Sequence, residues 1–220
     1  MFTDYSIQAI AINAIPLIFA ITIHEAAHGY AARRFGDNTA YLLGRVSLNP
    51  AKHIDLIGTI LIPLTLILTG SPFLVGYAKP VPVRFDRLRN PRIDSIWVAL
   101  AGPGSNLVQA FFWAILLICL AGFQIQEQFL ISVAQAGIRW NLVLLVFNLF
   151  PLPPLDGGRI LASMLPARQS IAFGKIEPWG FFIVLGLVFT GIIGSFWMNP
   201  LMSFFQQILY FITLPLQILF

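Results

Sequence analysis

Three ionisable side chains lie within five residues of an otherwise apolar stretch: His24, Glu25 and His28, in the pattern H-E-x-x-H. If this stretch is helical, the spacing of four places both imidazoles on one face, where together they can bind one zinc ion. Glu25 is displaced from His24 by about 100° around the helix, so its carboxylate can reach a water on the metal without being a ligand. Ionisable groups are costly inside a bilayer, and the spacing therefore predicts a metal site with a general base beside it.

A catalytic zinc site keeps three protein ligands and one water, so a third ligand must come from elsewhere. The chain has only three histidines, one cysteine and nine acidic residues, which makes a search by elimination possible. Asp156 directly follows an apolar segment, after the prolines of Pro151–Pro154 and before two glycines. Prolines end a helix and glycines permit a tight turn, so this arrangement can direct the carboxylate back into a bundle. Asp156 is therefore the favoured third ligand, and Asp55 is the second candidate.

The composition indicates that the chain lies in a membrane, so the helices that position these residues must be membrane helices. Of 220 residues, 58% are hydrophobic and 10% are charged, against about 25% charged in soluble domains. A spanning helix needs roughly 20 apolar residues. Segments that approach this length are Ile7–Tyr30, Ile54–Leu74, Ile96–Gly122, Phe129–Phe150, Trp179–Trp197 and Leu201–Phe220. We predict an all-α polytopic membrane protein with about five to six hydrophobic helical segments around a three-helix catalytic core. Residues 1–220 form one integral membrane domain in this prediction, with the core at about 7–159 and C-terminal helical segments at about 179–220.

One short segment is predicted to be extended. Gly76–Val83 reads G-Y-A-K-P-V-P-V, and prolines at alternate positions with β-branched neighbours exclude a helix. This β-like, membrane-associated segment could offer a strand edge to a bound peptide, or it could be a rigid connector between helices.

Basic residues predict the orientation, since those in short loops mark the cytoplasmic side. Twelve of the thirteen basic residues, all except Arg139, lie on one side if Ile54–Leu74 re-enters the membrane or lies in its plane. A kinked spanning helix at Ile54–Leu74 is the alternative that hydropathy also permits. Orientation explains the basic residues, so nucleic acid is not an expected partner. The same topology brings the histidines and Asp156 together near the cytoplasmic side.

These motifs together resemble the site-2 protease family of intramembrane zinc metalloproteases. That family pairs H-E-x-x-H in one membrane helix with N-x-x-P-x-x-x-L-D-G in another, and here Asn148, Pro151 and Asp156 match the second motif. Gly102-Pro103-Gly-Ser-Asn106 resembles the family's G-P-x-x-N element. The similarity spans roughly residues 7–159, and it fits the compact members because the chain has no room for a PDZ or nucleotide-sensing domain.

The resemblance implies that His24, His28 and Asp156 bind one Zn2+ per chain and that Glu25 is the general base. It implies hydrolysis of peptide bonds in or near transmembrane segments of membrane proteins. It also implies a multi-pass location in the bilayer, in the cell membrane of a prokaryote, with the active site toward the cytoplasm.

Two further residues are candidates for contacts with the substrate. The resemblance favours Asn106 as a side chain that hydrogen-bonds the extended substrate or a loop near the metal, and helix packing is the other interpretation of this position. His53 could donate a hydrogen bond to the developing oxyanion. A histidine that simply lies in a loop accounts for His53 equally well.

A function of another class also explains intramembrane ionisable residues. A proton- or metal-coupled transporter or channel uses such residues, together with interrupted helices, on its ion path. However, neither motif is repeated in a second half of the chain. The asymmetric pair of motifs therefore favours the protease.

Overall fold

The structure is a computed structural model that describes residues 7–62, 65 and 76–219. The re-entrant turn of Ile54–Leu74, predicted near Pro63, lies outside the described residues, as do residues 64 and 66–75. Whether this segment spans or re-enters the membrane stays a prediction.

The described part of the chain is mainly helical, with no residue in a β-strand. Its α-helices, in chain order, are α1 (Ile7–Arg34), α2 (Thr39–Leu42), α3 (Pro91–Gly122), α4 (Gln128–Asn148), α5 (Asp156–Met164), α6 (Ala167–Gly174), α7 (Glu177–Phe189) and α8 (Asn199–Leu219). Single 3₁₀ or π-helical turns lie at Pro50–Lys52, Leu56–Leu61, Phe85–Arg87 and Gly194–Met198.

Four of these elements are long and apolar enough to cross a membrane. They are α1, α3, α4 and the continuous stretch Gly194–Ile218, and the bent pair α6 and α7 could form a fifth span. The predicted fold class, an all-α polytopic membrane protein, is confirmed. Many large apolar side chains on these helices are exposed, among them Phe112, Phe182 and Phe196, as expected where the helices face lipid.

The predicted boundary between the last two apolar segments is wrong. We predicted one segment over Trp179–Trp197, but α7 ends at Phe189 and the next helical stretch begins at Gly194. Gly191 has a φ of +73°, a left-handed conformation that ends a helix and that glycine adopts without steric cost. The π-helical turn Gly194–Met198 leads directly into α8, whose second residue is Pro200, and proline is tolerated in the first turn of an α-helix.

Helices α1, α3 and α4 pack against one another and form the core of the bundle. Small or apolar side chains lie where they meet: Ala20 of α1, Ala110 of α3 and Leu142 of α4 are fully buried. Small residues let backbones approach closely, which is how helices associate in lipid. This three-helix core carries most of the polar side chains described in the next subsection.

The chain from residue 76 to 84, called here the 76–84 segment, contains neither a helix nor a paired strand. The main-chain N–H groups of Tyr77, Lys79 and Val81 each donate to an oxygen of a neighbouring element. Donation to one side from every second residue is a property of extended backbone. The segment is thus extended, as predicted, although it forms no β-ladder among the described residues.

Candidate metal centre

Two histidines of α1 and the first residue of α5 converge inside the bundle. The Nε2 atoms of His24 and His28 are 3.0 Å apart. Asp156 Oδ2 lies 3.3 Å from the first and 3.4 Å from the second. Among the described residues, this is the one group of three or more His, Cys, Asp or Glu side chains that could hold a metal ion.

The proton positions on the two histidines follow from their partners. His24 Nδ1 lies 2.6 Å from Asn106 Oδ1, and His28 Nδ1 lies 2.7 Å from the carbonyl oxygen of Val98. Both partners are oxygens that only accept hydrogen bonds, so each Nδ1 carries the proton in the neutral ring. Each Nε2 is then an electron-pair donor.

Three electron-pair donors therefore face one another. Asp156 Oδ2 is buried and has no hydrogen-bond partner, and the two Nε2 atoms carry no proton to share with it. Such a cluster is unfavourable unless a cation lies at its centre. Two ligand atoms about 2.0–2.1 Å from a tetrahedral zinc ion are separated by roughly 3.3 Å, which is close to the three distances here. The donor set and its spacing fit zinc.

The space beside the two imidazoles depends on a glycine of α3. A methyl group at Gly102 would lie 2.6 Å from His24 Nε2 and closer still to His28 Nε2. Real side-chain carbons do not approach other atoms so closely, so any residue larger than glycine would occupy the ligand face of the histidines. Two residues further along α3, a methyl group at Gly104 would meet nothing within 4 Å.

Asn106 lies beneath the histidines rather than on a surface that a substrate could reach. It is fully buried. Its Nδ2 donates to the carbonyl oxygen of Ala20 over 3.3 Å and to Asn141 Oδ1 over 3.0 Å, while its Oδ1 accepts from His24. Every polar atom of the side chain has a partner inside the bundle, and the predicted contact with a substrate stays a prediction. The geometry gives Asn106 a positioning role for His24.

Sequence reasoning missed Asn141, which completes this network. The side chain is fully buried in α4, where its Nδ2 donates to the carbonyl oxygen of Gly137 over 2.9 Å. A signal was present, because an amide within an apolar membrane segment needs a partner in the bundle. The identity of that partner could not be read from the sequence, because Asn141 and Asn106 belong to different helices.

The position of Asp156 is set by the turn that precedes α5 and by contacts at the C-terminal end of this helix. An added side chain at Gly157 would collide with the backbone of Leu149 and Phe150, and one at Gly158 with the backbone of Leu152 and Pro153. At the other end of α5, the guanidinium group of Arg92 donates to the carbonyl oxygens of Ser163, Met164 and Leu165. α5 is thereby held at both ends.

Glu25 lies beside the metal-ligand group without being part of it. Its Oε2 accepts a hydrogen bond from the main-chain N–H of Val81 over 2.7 Å. The carboxylate is half-buried, and it projects from α1 one residue after His24. This is the arrangement that the H-E-x-x-H spacing predicts for a group that is close to a metal but does not bind it.

The structure does not bring His53 or Asp55 into this group. His53 is buried, and its Nε2 lies 2.8 Å from the carbonyl oxygen of Ser47. Asp55 Oδ1 accepts hydrogen bonds from the amides of Ile57 and Gly58, which begin the next helical turn. Asp55, the second candidate for the third ligand, is thus a capping residue.

Comparisons with known proteins agree with the chemistry of this group. The sequence model described as peptidase family M50 matches residues 12–138 and 124–191. Three relatives have names that begin "Putative zinc metalloprotease". YwhC of Bacillus subtilis is 38% identical over 207 residues, which cover 92% of this chain and 90% of YwhC. Rip2 of Mycolicibacterium smegmatis is 30% identical, covering 86% of this chain and 71% of Rip2. MJ0611 of Methanocaldococcus jannaschii is 29% identical, covering 73% and 74%. No solved structure matches this chain.

Proposed function

Because this chain belongs to peptidase family M50, we propose that it hydrolyses peptide bonds in or near the transmembrane segments of other membrane proteins. The proposal starts from two statements: the chain is a zinc metalloprotease of the site-2 type, and it is an integral membrane protein. The observation that carries the proposal is the convergence of His24, His28 and Asp156 inside a bundle of membrane-length helices, with Glu25 beside them.

In this proposal, His24, His28 and Asp156 would hold one zinc ion per chain, with Nε2 of each histidine and Oδ2 of the aspartate as the candidate ligand atoms. Bound zinc supplies Lewis acidity, which activates water and polarises a peptide carbonyl. Glu25 accepts the proton of the attacking water and passes it to the leaving amine nitrogen as the peptide C–N bond breaks. Asn106 keeps His24 in the tautomer that leaves its Nε2 free for the metal.

The substrate has to be extended before it can be cut, since a transmembrane helix keeps its peptide groups in internal hydrogen bonds. We propose that the 76–84 segment receives the extended chain by β-augmentation. The N–H groups of three alternate residues, Tyr77, Lys79 and Val81, point toward the protein. In extended backbone, the N–H and C=O of the intervening Ala78 therefore lie on the opposite edge of the segment. Ala78→Cys, in a Cys119→Ser background, should crosslink to a cysteine-bearing substrate. If the segment is only a connector, no crosslink forms.

We place the active site toward the cytoplasm, in the cell membrane of a prokaryote. α1 ends with Arg33 and Arg34, and His24 precedes Arg33 by nine residues, about 13 Å along the helix. Basic residues near a membrane end mark the cytoplasmic side. A reporter fused at Arg87 should give a cytoplasmic signal, and an external signal would reject this orientation.

We also propose that residues 1–220 act as one membrane domain, in which residues 179–220 support a catalytic core at 7–159. Trp197 Nε1 donates to the carbonyl oxygen of Val146 in α4 over 2.8 Å, and Gly180 of α7 lies against Pro153 in the turn before Asp156. The C-terminal helices thereby contact two parts of the proposed core. Truncation before residue 179 should consequently lower zinc retention.

The decisive experiment uses the full chain purified in detergent. Zinc stoichiometry should be one per chain, and the wild type should cleave a model single-span substrate while Glu25→Gln retains zinc and does not cleave. Cleavage by Glu25→Gln would overturn the proposed mechanism. Ion transport in vesicles without cleavage would favour the transporter instead.

A further inference from the structure

The carboxylate proposed as the general base also contacts the segment proposed to receive the substrate. Glu25 Oε2 lies 2.7 Å from the main-chain nitrogen of Val81. We propose that Glu25 has a second role, in which it anchors the 76–84 segment against α1 and so sets the position of that segment relative to the metal site. The anchor rests on the proposed function only in what it does for the substrate.

The neighbours of Val81 make its N–H group irreplaceable. Pro80 and Pro82 flank Val81, and proline has no N–H. Between Lys79 and Val83, the main chain therefore offers a single donor, and that donor is used on Glu25. A hydrogen bond from an amide to a carboxylate is one of the stronger kinds in proteins.

The other anchors of the segment lie outside α1. The N–H of Lys79 donates to the carbonyl oxygen of His53 over 2.9 Å, and the N–H of Arg84 donates to Asp37 Oδ2 over 2.7 Å. Within the described residues, the bond to Glu25 is the one main-chain hydrogen bond that joins the segment to the helix of the metal-binding histidines.

Packing one turn further along α1 supports the same register. Gly29 follows Glu25 by four residues and lies on the same face of the helix. A methyl group at Gly29 would come within 2.7 Å of Val46 Cγ2 and 3.2 Å of Val81 Cγ1. The side chain of Val81 is almost fully buried there, so Val81 is held by its N–H at Glu25 and by its side chain at Gly29.

The contact also serves Glu25 itself. Occupying Oε2 fixes the orientation of the carboxylate and leaves Oε1 to accept the proton of the attacking water. The general base and the substrate-binding segment are thus positioned by one hydrogen bond. Loss of that bond should disturb both, even where zinc remains bound.

Hydrogen exchange on the zinc-loaded full chain in detergent tests the anchor without any substrate. Residues 80–82 contain one exchangeable main-chain amide, so the difference between two overlapping peptide fragments, of which only one includes residues 80–82, reports Val81 alone. Glu25→Gln keeps an oxygen that can accept the bond, and Glu25→Ala does not. We expect Val81 to exchange at least about tenfold faster in Glu25→Ala than in Glu25→Gln, with zinc content equal in both. Equal exchange rates in the two variants would overturn the proposal.

A second pair of variants leaves Glu25 intact. Val81→Pro removes the N–H, while Val81→Ala keeps it and removes most of the side chain. We expect faster exchange at Lys79 and reduced substrate crosslinking from position 78 in Val81→Pro beyond any change in Val81→Ala, with zinc content unchanged. Identical behaviour of the two variants would contradict the anchor.

The two proposals fail in different ways. If the wild type cleaves no membrane substrate but the exchange pattern appears, the proposed function is wrong and the anchor stands. If cleavage is present and the exchange rates do not differ, the anchor is wrong and the proposed function stands.

Discussion

Asn106 holds His24 by a hydrogen bond of 2.6 Å between its Oδ1 and the Nδ1 of the imidazole. Asn106 follows Gly102 by four residues on α3, so both lie on the same face of that helix. One residue leaves space beside the ligand atoms of the histidines, and the other orients a histidine. This face of α3 therefore lies against the proposed metal site without contributing one of its candidate ligands, and it leads to two predictions.

The first concerns the hydrogen bond itself. Asn106→Ala should lower zinc affinity by about 10- to 100-fold, because partners of metal-binding histidines fix their tautomer and orientation. Competition with a chelator measures the affinity. Asn13→Ala is a matched control, since Asn13 lies in α1 and accepts hydrogen bonds from Arg139 and Trp140 rather than from a ligand histidine. If Asn106→Ala binds zinc with the affinity of the wild type, Asn106 does not position His24.

The second concerns the space at Gly102. Gly102→Ala should lose zinc, because the added methyl group would overlap the Nε2 atoms of both histidines. Gly104→Ala should keep zinc, because a methyl group there meets no atom within 4 Å. Metal analysis of the two purified variants makes the comparison, and equal zinc content in both would mean that the ligand face lies elsewhere.

Asp156 and Asp55 should differ in their effect on the metal. Asp156→Ala removes one of the three converging ligand atoms, and we expect its zinc content to fall close to zero. Asp55→Ala removes a helix cap, which costs about 1 kcal/mol in local stability, and it should retain zinc. The reverse outcome would make Asp55 the third ligand.

Asp37 should make the stability of the loop that follows α1 depend on pH. Burial raises the pKa of this carboxyl group, but hydrogen bonds from Thr39 and from the amide of Arg84 outweigh burial and lower the pKa below its usual value. A lowered pKa in the folded state means that the stabilisation is present above the unfolded pKa of about 3.9 and is lost as the pH falls through the folded value.

Asp37→Asn should therefore be less stable than the wild type near pH 7, and the difference should shrink as the pH falls below about 4. The apparent melting temperature in detergent, measured from pH 3 to pH 7, gives this difference. A gap between the two proteins that does not change with pH would show that Asp37 stabilises the loop by packing alone.

Local sequence patterns were sufficient to predict the part of the site that lies on α1. The four-residue spacing of His24 and His28 predicts that their side chains share a face, and their Nε2 atoms are 3.0 Å apart. Asp37 shows where such reasoning ends. Asp37 lies in the loop between α1 and α2, and that loop folds so that Asp37 is fully buried and accepts a hydrogen bond from the N–H of Arg84, at the end of the 76–84 segment.

The sequence by itself determined that this is a helical membrane protein and which residues are the candidate metal ligands. Only 10% of the residues are charged, so few side chains are candidates for the chemistry. Helical periodicity places residues three and four apart on the same face of a helix. Tertiary structure alone decided which residues from different helices meet. It placed Asn106 against His24, paired Asn106 with Asn141, and brought the N–H of Val81 to Glu25. Contacts of this kind join residues that are 35 to 82 positions apart in the chain, and they depend on how helices pack, which no local spacing encodes.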